Sequence, residues 1–521
     1  MAEFDVRPDN HLGHIILESM RKYSDYIHQI DAATGEEETY ASVLDRSVKL
    51  ARYLRNSGLL PGDVLAIGGR NHVDLYIPFY SALFNGHTII GVDPNYKNSE
   101  IKKLFEMTSP KVIFCDESMY ETYNEVSMDL GLDTKIVTFG CNLGSMRQLL
   151  RDFNCIKEDE FKAAEVDIEN VYPFFITTSG TTGNIKIAAF KYKALIEKMV
   201  YFSKSSNISL HQKYLQLSPI NWVSSFYLAT ANPMMGHCNI QTSLPDNIEI
   251  IIHMINKYKP VQCLVGPSLM SDLLQHKDEV DLSCFNAVFF TGSKIYPDVM
   301  DKFQACLRRG AIALEAYGQT ETIGPVIMSM PGMPRGSCGK GFHMYSLKML
   351  DTETGDEISE VGKAGELCAK GPSFTEYWND PEETANRFTS DGYVRTGDLL
   401  YRDEAGFYYF VERIKTLIKW KNFHVLPCEV EDLIRTHTGV DDVCVLGIKD
   451  PEDGELPTAC VIRKYGANVT ALDIKELVAS KLSNQNQLRG GVLFLQEFPT
   501  TSTKKIARKK LLEIVLNSKR E

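Results

Sequence analysis

The sequence predicts an α/β protein: a large, multi-subdomain N-terminal domain of parallel-type sheets and helices with a β-rich subdomain, then a small α+β C-terminal domain. Three observations carry this. Strand-like and helix-like patterns alternate through the first part of the chain, short β-rich runs between turn residues replace that rhythm from about Gly362, and a compact strand-and-helix unit follows Arg413. Alternation of this kind implies parallel sheet with helices on its faces. The 521 residues suit three or four domain-sized units.

Taken in order, residues 63–68 (DVLAIG) read as a short buried strand, 73–84 as a helix, 88–92 as a strand, 100–107 as a helix and 112–115 as a strand. The apolar run 172–176 reads as another strand, and the strand–helix rhythm returns over 248–266 and 299–317. The β-rich texture is clearest at 365–368 and 406–410. Beyond Arg413 the pattern gives a helix at 428–436, strands at 442–448 and 458–463, a helix at 472–482 and a strand at 492–497. About 100 residues are enough for a separate domain. The expected division is 1–412, with the β-rich subdomain at about 335–412, and 413–521 as a C-terminal lid.

Lysine and arginine total 56, aspartate and glutamate 68, and the formal charge is −12. A dedicated nucleic-acid binder carries the opposite balance, so no nucleic-acid partner is expected. The twelve cysteines are scattered and none forms C-x-x-C, which argues against a zinc cluster or redox dithiol and for reduced thiols in an intracellular protein. No run reaches the roughly 20 apolar residues of a membrane-spanning helix. The N-terminus lacks the basic-then-apolar pattern of a signal peptide. The chain ends Ser518-Lys519-Arg520-Glu521 rather than S-K-L, so a cytoplasmic location is expected ahead of a peroxisomal one. No obligate protein partner is inferred.

One segment concentrates chemistry. Thr177-Thr178-Ser179-Gly180-Thr181-Thr182-Gly183-Asn184-Ile185-Lys186 follows the strand at 172–176. Glycines let backbone N–H groups approach an anion closely. Five hydroxyls add donors and Lys186 adds positive charge. The spacing Gly180-x-x-Gly183-x-x-Lys186 differs from the P-loop's G-x-x-x-x-G-K-[ST]. By composition alone, a phosphate loop and a plain Ser/Thr/Gly surface loop both stay open.

This segment resembles the signature of adenylate-forming enzymes: acyl-CoA synthetases, peptide-synthetase adenylation domains and insect luciferases. Four more segments match in order. Tyr317-Gly318-Gln319-Thr320-Glu321-Thr322 is similar to Y-G-x-T-E, and Tyr393-Val394-Arg395-Thr396-Gly397-Asp398 to the T-G-D segment. Glu412-Arg413-Ile414-Lys415 through Lys419, Val425, Pro427 and Glu429 is similar to D-R-x-K…V-x-P-x-E, and Pro499 through Lys505, Ile506 and Arg508 to P-x-T-x-x-G-K-I-x-R. The stretch 414–427 and 488–492 are closest to the insect luciferase and luciferase-like (4-coumarate–CoA ligase-like) acyl-CoA synthetase branch.

The resemblance implies that a carboxylic acid attacks the α-phosphate of ATP, giving an acyl-adenylate and pyrophosphate. Two anions must approach, so positive charge and preorganised donors should dominate catalysis. Thr178, Ser179, Gly180, Thr181, Thr182, Gly183 and Lys186 would bind the phosphates, and Glu321 would help hold Mg²⁺. Tyr317, Gly318, Gln319 and Thr320 would line the nucleotide, with Thr320 donating to the α-phosphate. Asp398 would accept from both ribose hydroxyls, with Arg413 assisting. Lys505 would bridge substrate carboxylate and α-phosphate as a mobile point charge. In this family the C-terminal domain rotates between half-reactions. Turning about Lys415 would bring the face carrying Lys419 to the adenylate for thioester formation with CoA.

The sequence departs from the family at several places. Gly183-Asn184-Ile185-Lys186-Ile187 lacks the proline and last glycine of G-x-P-K-G, so slower adenylation is expected. Trp222 stands near the usual histidine, which beetle luciferases use in the light reaction. Trp222 and Ser224, with Gly292, Ser293 and Lys294, are the candidate substrate-pocket residues. Asn422 replaces the glycine against the pantetheine arm, and Lys504 replaces the glycine before the key lysine. The leading reading is a fatty or aryl acid–CoA ligase acting on a small carboxylic acid with ATP, Mg²⁺ and CoA. A second is a luciferase that adenylates a luciferin and oxidises it with O₂. A third is a weakened family member that binds nucleotide or acyl chain.

Overall fold

The computed structural model describes residues 7–140, 142, 144–152, 160–179, 185–205, 210–245, 247–421, 423–501 and 505–521. They resolve into two compact units, Met1–Leu347 with Ala369–Val394, and Lys348–Cys368 with Arg395–Glu521. Both combine strands and helices, as the periodicity predicts.

The first unit holds two large sheets. One orders its strands Glu376–Tyr377, Ile185–Phe190, Phe174–Ser179, Thr88–Val92, Val64–Gly68, Val112–Cys115 and Lys135–Thr138. The five strands from Phe174–Ser179 to Lys135–Thr138 are parallel, while the two at the other edge pair antiparallel. The other sheet has nine strands and parallel pairing from Ile312–Gln319 through to Ile27–Asp31, with Gly324–Met328 returning antiparallel to Ile312–Gln319. The helix Tyr76–Asn85 (YIPFYSALFN) is apolar all round, and every one of its residues is buried. Phe79 stacks on Phe174 at 5.7 Å and meets Phe226 edge-on at 5.6 Å.

The second unit is built on the hairpin of Val440–Asp450 and Gly454–Arg463, joined by Val492–Leu495 and the short strands Ile418–Trp420 and Phe423–Val425. Both faces of the hairpin are buried. Val443, Val445, Ala459 and Val461 share a core with residues of helices Pro427–Arg435 and Ala471–Lys481. Cys444, Leu446 and Cys460 pack with Leu511 and Val515 of helix Arg508–Leu516. That two-sided burial explains why these strands read as continuous apolar runs instead of alternating.

Elements fall where the sequence places them, with shifted ends. The strand expected at 442–448 runs Val440–Asp450, and that at 458–463 starts at Gly454, because cross-strand pairing extends both to their turn. The strand expected to end at 176 continues to Ser179. No disulfide joins any two of the ten described cysteines. No helix among the described residues is long and apolar enough to cross a membrane.

Candidate active site

In the first unit, the two described ends of the Ser/Thr/Gly segment pair antiparallel. Thr177 pairs with Ile187, Thr178 with Lys186 and Ser179 with Ile185. Gly180, Thr181, Thr182, Gly183 and Asn184 lie outside the described residues. Ile185, where the family has proline, is a strand residue with a partner, a position that suits a β-branched side chain. The Lys186 amine lies 2.5 Å from Glu383 Oε2 and 5.1 Å above the Tyr377 ring. Glu383 sits on the short helix Pro381–Arg387, started by Asp380, whose carboxylate accepts from the Glu383 N–H at 3.1 Å.

Tyr317, Gly318 and Gln319 end the strand Ile312–Gln319, and Thr320–Thr322 form one 3-10 turn before the chain returns. Glycine is required at 318, because a Cβ there would stand 2.1 Å from the Gly324 carbonyl oxygen. Thr320 opens the turn, and its carbonyl accepts the Ile323 N–H at 2.9 Å. Glu321 is 8% exposed. Its Oε1 accepts the Tyr377 hydroxyl and lies 3.4 Å from Arg387 Nη2. Arg387 also donates to Gln319 Oε1 at 2.5 Å. Tyr377 therefore touches both Lys186 and Glu321. Tyr377, Glu383 and Arg387 were not singled out in the sequence, since nothing in the run 377–387 marks contact with residues over 50 positions away.

The Tyr377 and Arg387 contacts of the Glu321 side chain both fall on Oε1. One carboxylate oxygen beside substrate phosphates is how Mg²⁺ is commonly held, so this residue fits the expected metal role. No cluster of three or more His, Cys, Asp or Glu able to hold a metal alone occurs among the described residues.

The pocket candidates of this unit are spread over two stretches. Trp222 is the N-cap of helix Val223–Met235, and its carbonyl accepts from Ser225 N–H at 3.0 Å. Its indole N–H is buried and has no hydrogen-bond partner among the described residues. Ser224 donates to Ser218 Oγ at 2.8 Å. Gly292 holds φ +100° and Ser293 is exposed. Lys294 is half-buried, 5.5 Å from the Tyr296 ring centre. Its charge acts on Glu315, a residue the sequence reading passed over. Burial pushes the Glu315 carboxyl up to about 7, against the Cys338 thiol, which donates to it, and Lys294. An acid two positions before Tyr317 in an otherwise apolar strand was the available signal.

In the second unit, Asp398 and Arg413 are cross-strand partners. Arg413 Nε lies 3.3 Å from Asp398 Oδ1, and Asp398 is only 2% exposed. Gly397 holds φ +68°, and its N–H donates to Glu366 Oε1 at 3.1 Å. Glu412 accepts from the Arg413 N–H and Thr416 hydroxyl at 2.8 Å and from the Cys428 N–H at 3.2 Å. It thus braces the 3-10 turn Ile414–Thr416 that holds exposed Lys415. The described stretches 499–501 and 505–507 are joined by two backbone hydrogen bonds, Thr501 N–H donating to Lys505 O and Ala507 N–H to Pro499 O, each at 2.7 Å. Lys505 as a residue is exposed, yet its amine sits among enough protein that burial lowers it to about 8. Arg413 pushes in the same direction and Asp398 opposes. Arg508, in the same motif, is a structural pin, donating to Val445 O at 2.7 Å and Glu431 at 3.0 Å.

Lys419 stands apart from this group among the described residues. It is exposed, opposite His424 on the neighbouring strand, and lines an open cavity of about 470 Å³ with Lys449, Asp450, Pro451, Gly454 and Glu455. Asn422 and Lys504 lie outside the described residues.

The chain matches the AMP-binding enzyme family over residues 16–378 and the AMP-binding enzyme C-terminal domain over 429–505. It is 26% identical to luciferin 4-monooxygenase of Photinus pyralis, over all of this chain and 97% of that protein. It is also 26% identical to probable 4-coumarate–CoA ligase 2 of Dictyostelium discoideum, over 98% and 96%. Its fold matches ATP-bound MatB from Rhodopseudomonas palustris with a TM-score of 0.86 at 22% identity, over 96% of this chain and 98% of that one. The five ordered segments and these matches agree, and the chain belongs to the AMP-binding enzyme family, the adenylate-forming enzymes.

Proposed function

We propose that the chain activates a small carboxylic acid with ATP to an acyl-adenylate, releasing pyrophosphate, and then transfers the acyl group to CoA. The observation that carries this reading is the Lys505 amine within electrostatic reach of the Asp398–Arg413 pair. A cation of this kind suits an approaching carboxylate and α-phosphate, both anionic. Asp398 offers two acceptor oxygens for ribose hydroxyls, with Arg413 beside it. Lys186 and Thr178, with Ser179, Gly180, Thr181, Thr182 and Gly183, take the β- and γ-phosphates, and Thr320 donates to the α-phosphate. Glu321 ligates Mg²⁺, which neutralises phosphate charge when bound. The hinge is at Lys415, between residues 1–412 and 413–521. Lys419, beside its open cavity, serves the CoA step.

The test is pyrophosphate release with a panel of fatty and aryl acids, with and without CoA, recording photons in air. CoA-dependent thioester without light is the expected result. Light from a luciferin would favour the luciferase reading instead. ATP binding with no turnover of any acid would identify a weakened family member.

A further inference from the structure

Lys198 is a charged-type residue in an unusual place. It lies on helix Tyr192–Ser205 among buried Leu195, Ile196 and Met199, and is 0% exposed. Its amine is 4.4 Å from the Tyr345 ring centre, 5.4 Å from that of Phe202 and 5.7 Å from that of Phe342. It donates to the Pro325 carbonyl and, at 2.8 Å, to the Tyr345 hydroxyl. The Tyr345 oxygen in turn lies 2.8 Å from the Thr322 carbonyl and 2.7 Å from the Pro372 carbonyl. Its single proton serves one of these at a time.

These contacts bracket one strained residue. Ile323 holds φ +55° and is 1% exposed. A β-branched side chain in the left-handed region is an outlier, and it persists only where its surroundings over-determine the backbone. Tyr345 holds the carbonyl just before Ile323, and Lys198 holds one two residues after it. The strained step follows directly on the Thr320-Glu321-Thr322 turn.

We propose that Lys198 and Tyr345 are positioning residues: a buried clamp that fixes the strained turn and so holds Thr320 and Glu321 in place. A buried lysine is costly to keep, and its ties to the Pro325 carbonyl and the Tyr345 hydroxyl give it a purpose. The catalytic consequence rests on the acid-activation reading above; the clamp does not.

The test uses the full chain with Lys198→Met, which keeps the aliphatic stem and removes the donors, and Tyr345→Phe, which keeps the ring. Amide hydrogen exchange is followed across 317–328, and ATP–pyrophosphate exchange is measured with the panel acid fastest in the parent. Exchange at 320–324 should speed up by about 10-fold in both variants, with the rest of the chain unchanged. The kcat should fall about 10- to 100-fold with KM for ATP nearly constant. The double variant should be no worse than the worse single one. Unchanged amide exchange at 320–324 overturns the clamp, and faster exchange with unchanged kcat overturns its positioning role. If no acid turns over in the parent, only the acid-activation reading falls, and hydrogen exchange still decides the clamp. Tyr345→Phe is the milder change and decides alone if Lys198→Met does not fold.

Discussion

The two units carry their candidate catalytic charges in opposite ways. In the first, Lys186 is already paired with Glu383, and Glu321 with Tyr377 and Arg387. In the second, Arg413 repels Lys505 and Asp398 opposes that push. One unit presents side chains fixed by partners of its own. The other presents a cation held short of full compensation, which is the better state for meeting a new anion. Rigid pairing gives geometry, and incomplete pairing gives driving force.

Five experiments test this contrast. Lys505→Ala should cost the most, about 10²- to 10³-fold in pyrophosphate exchange with little change in ATP affinity; a loss below tenfold would remove the distinction between the units. The same lysine sets a pH dependence. With its amine at about 8, the protonated form and the adenylation rate should fall as pH rises through 8, and that limb should vanish in Lys505→Ala. Lys186→Met should cost less, about 10-fold, because Glu383 already offsets part of its charge. Comparable losses at 186 and 505 would count against the comparison.

Stability should separate the units more mildly. Burial lowers His28 to about 3, and His11 and His87 to about 4. All three are in the first unit and stay neutral when folded. The unfolded chain binds more protons below about 6.5, so stability present at neutral pH is lost as pH falls toward 4, by up to about 1.4 kcal/mol per proton per pH unit. Hydrogen exchange resolved along the chain should show the first unit loosening on acidification. Glu315 runs the other way. Its raised carboxyl means the folded state holds the proton longer, so its contribution is present below about 4.5 and is lost as pH rises through about 7. Glu315→Gln should therefore raise the melting temperature at pH 8, an effect of about 3 kcal/mol, and change it much less at pH 5.

Much of this was legible in the chain. The strand–helix rhythm of 63–115 appears as Val64–Gly68, Tyr76–Asn85, Thr88–Val92, Asn98–Thr108 and Val112–Cys115, because buried parallel strands and their covering helices write their burial into local periodicity. Short motifs marked Asp398, Arg413 and Lys505, because each lies in a segment whose spacing is set locally. Lys198, Tyr345 and Arg387 carried no such mark. The interior lysine breaks the apolar face of its helix, which shows an anomaly without naming its partner.

The mixed strand-and-helix architecture, the adenylate-forming family and the segments that carry its charges can all be read along the chain. Which of those charges are already compensated depends on the fold. Glu383 reaches Lys186 across 197 positions, Tyr377 reaches Glu321 across 56, and Tyr345 reaches Lys198 across 147. Such pairings follow from how strands and helices pack, and no local pattern records them.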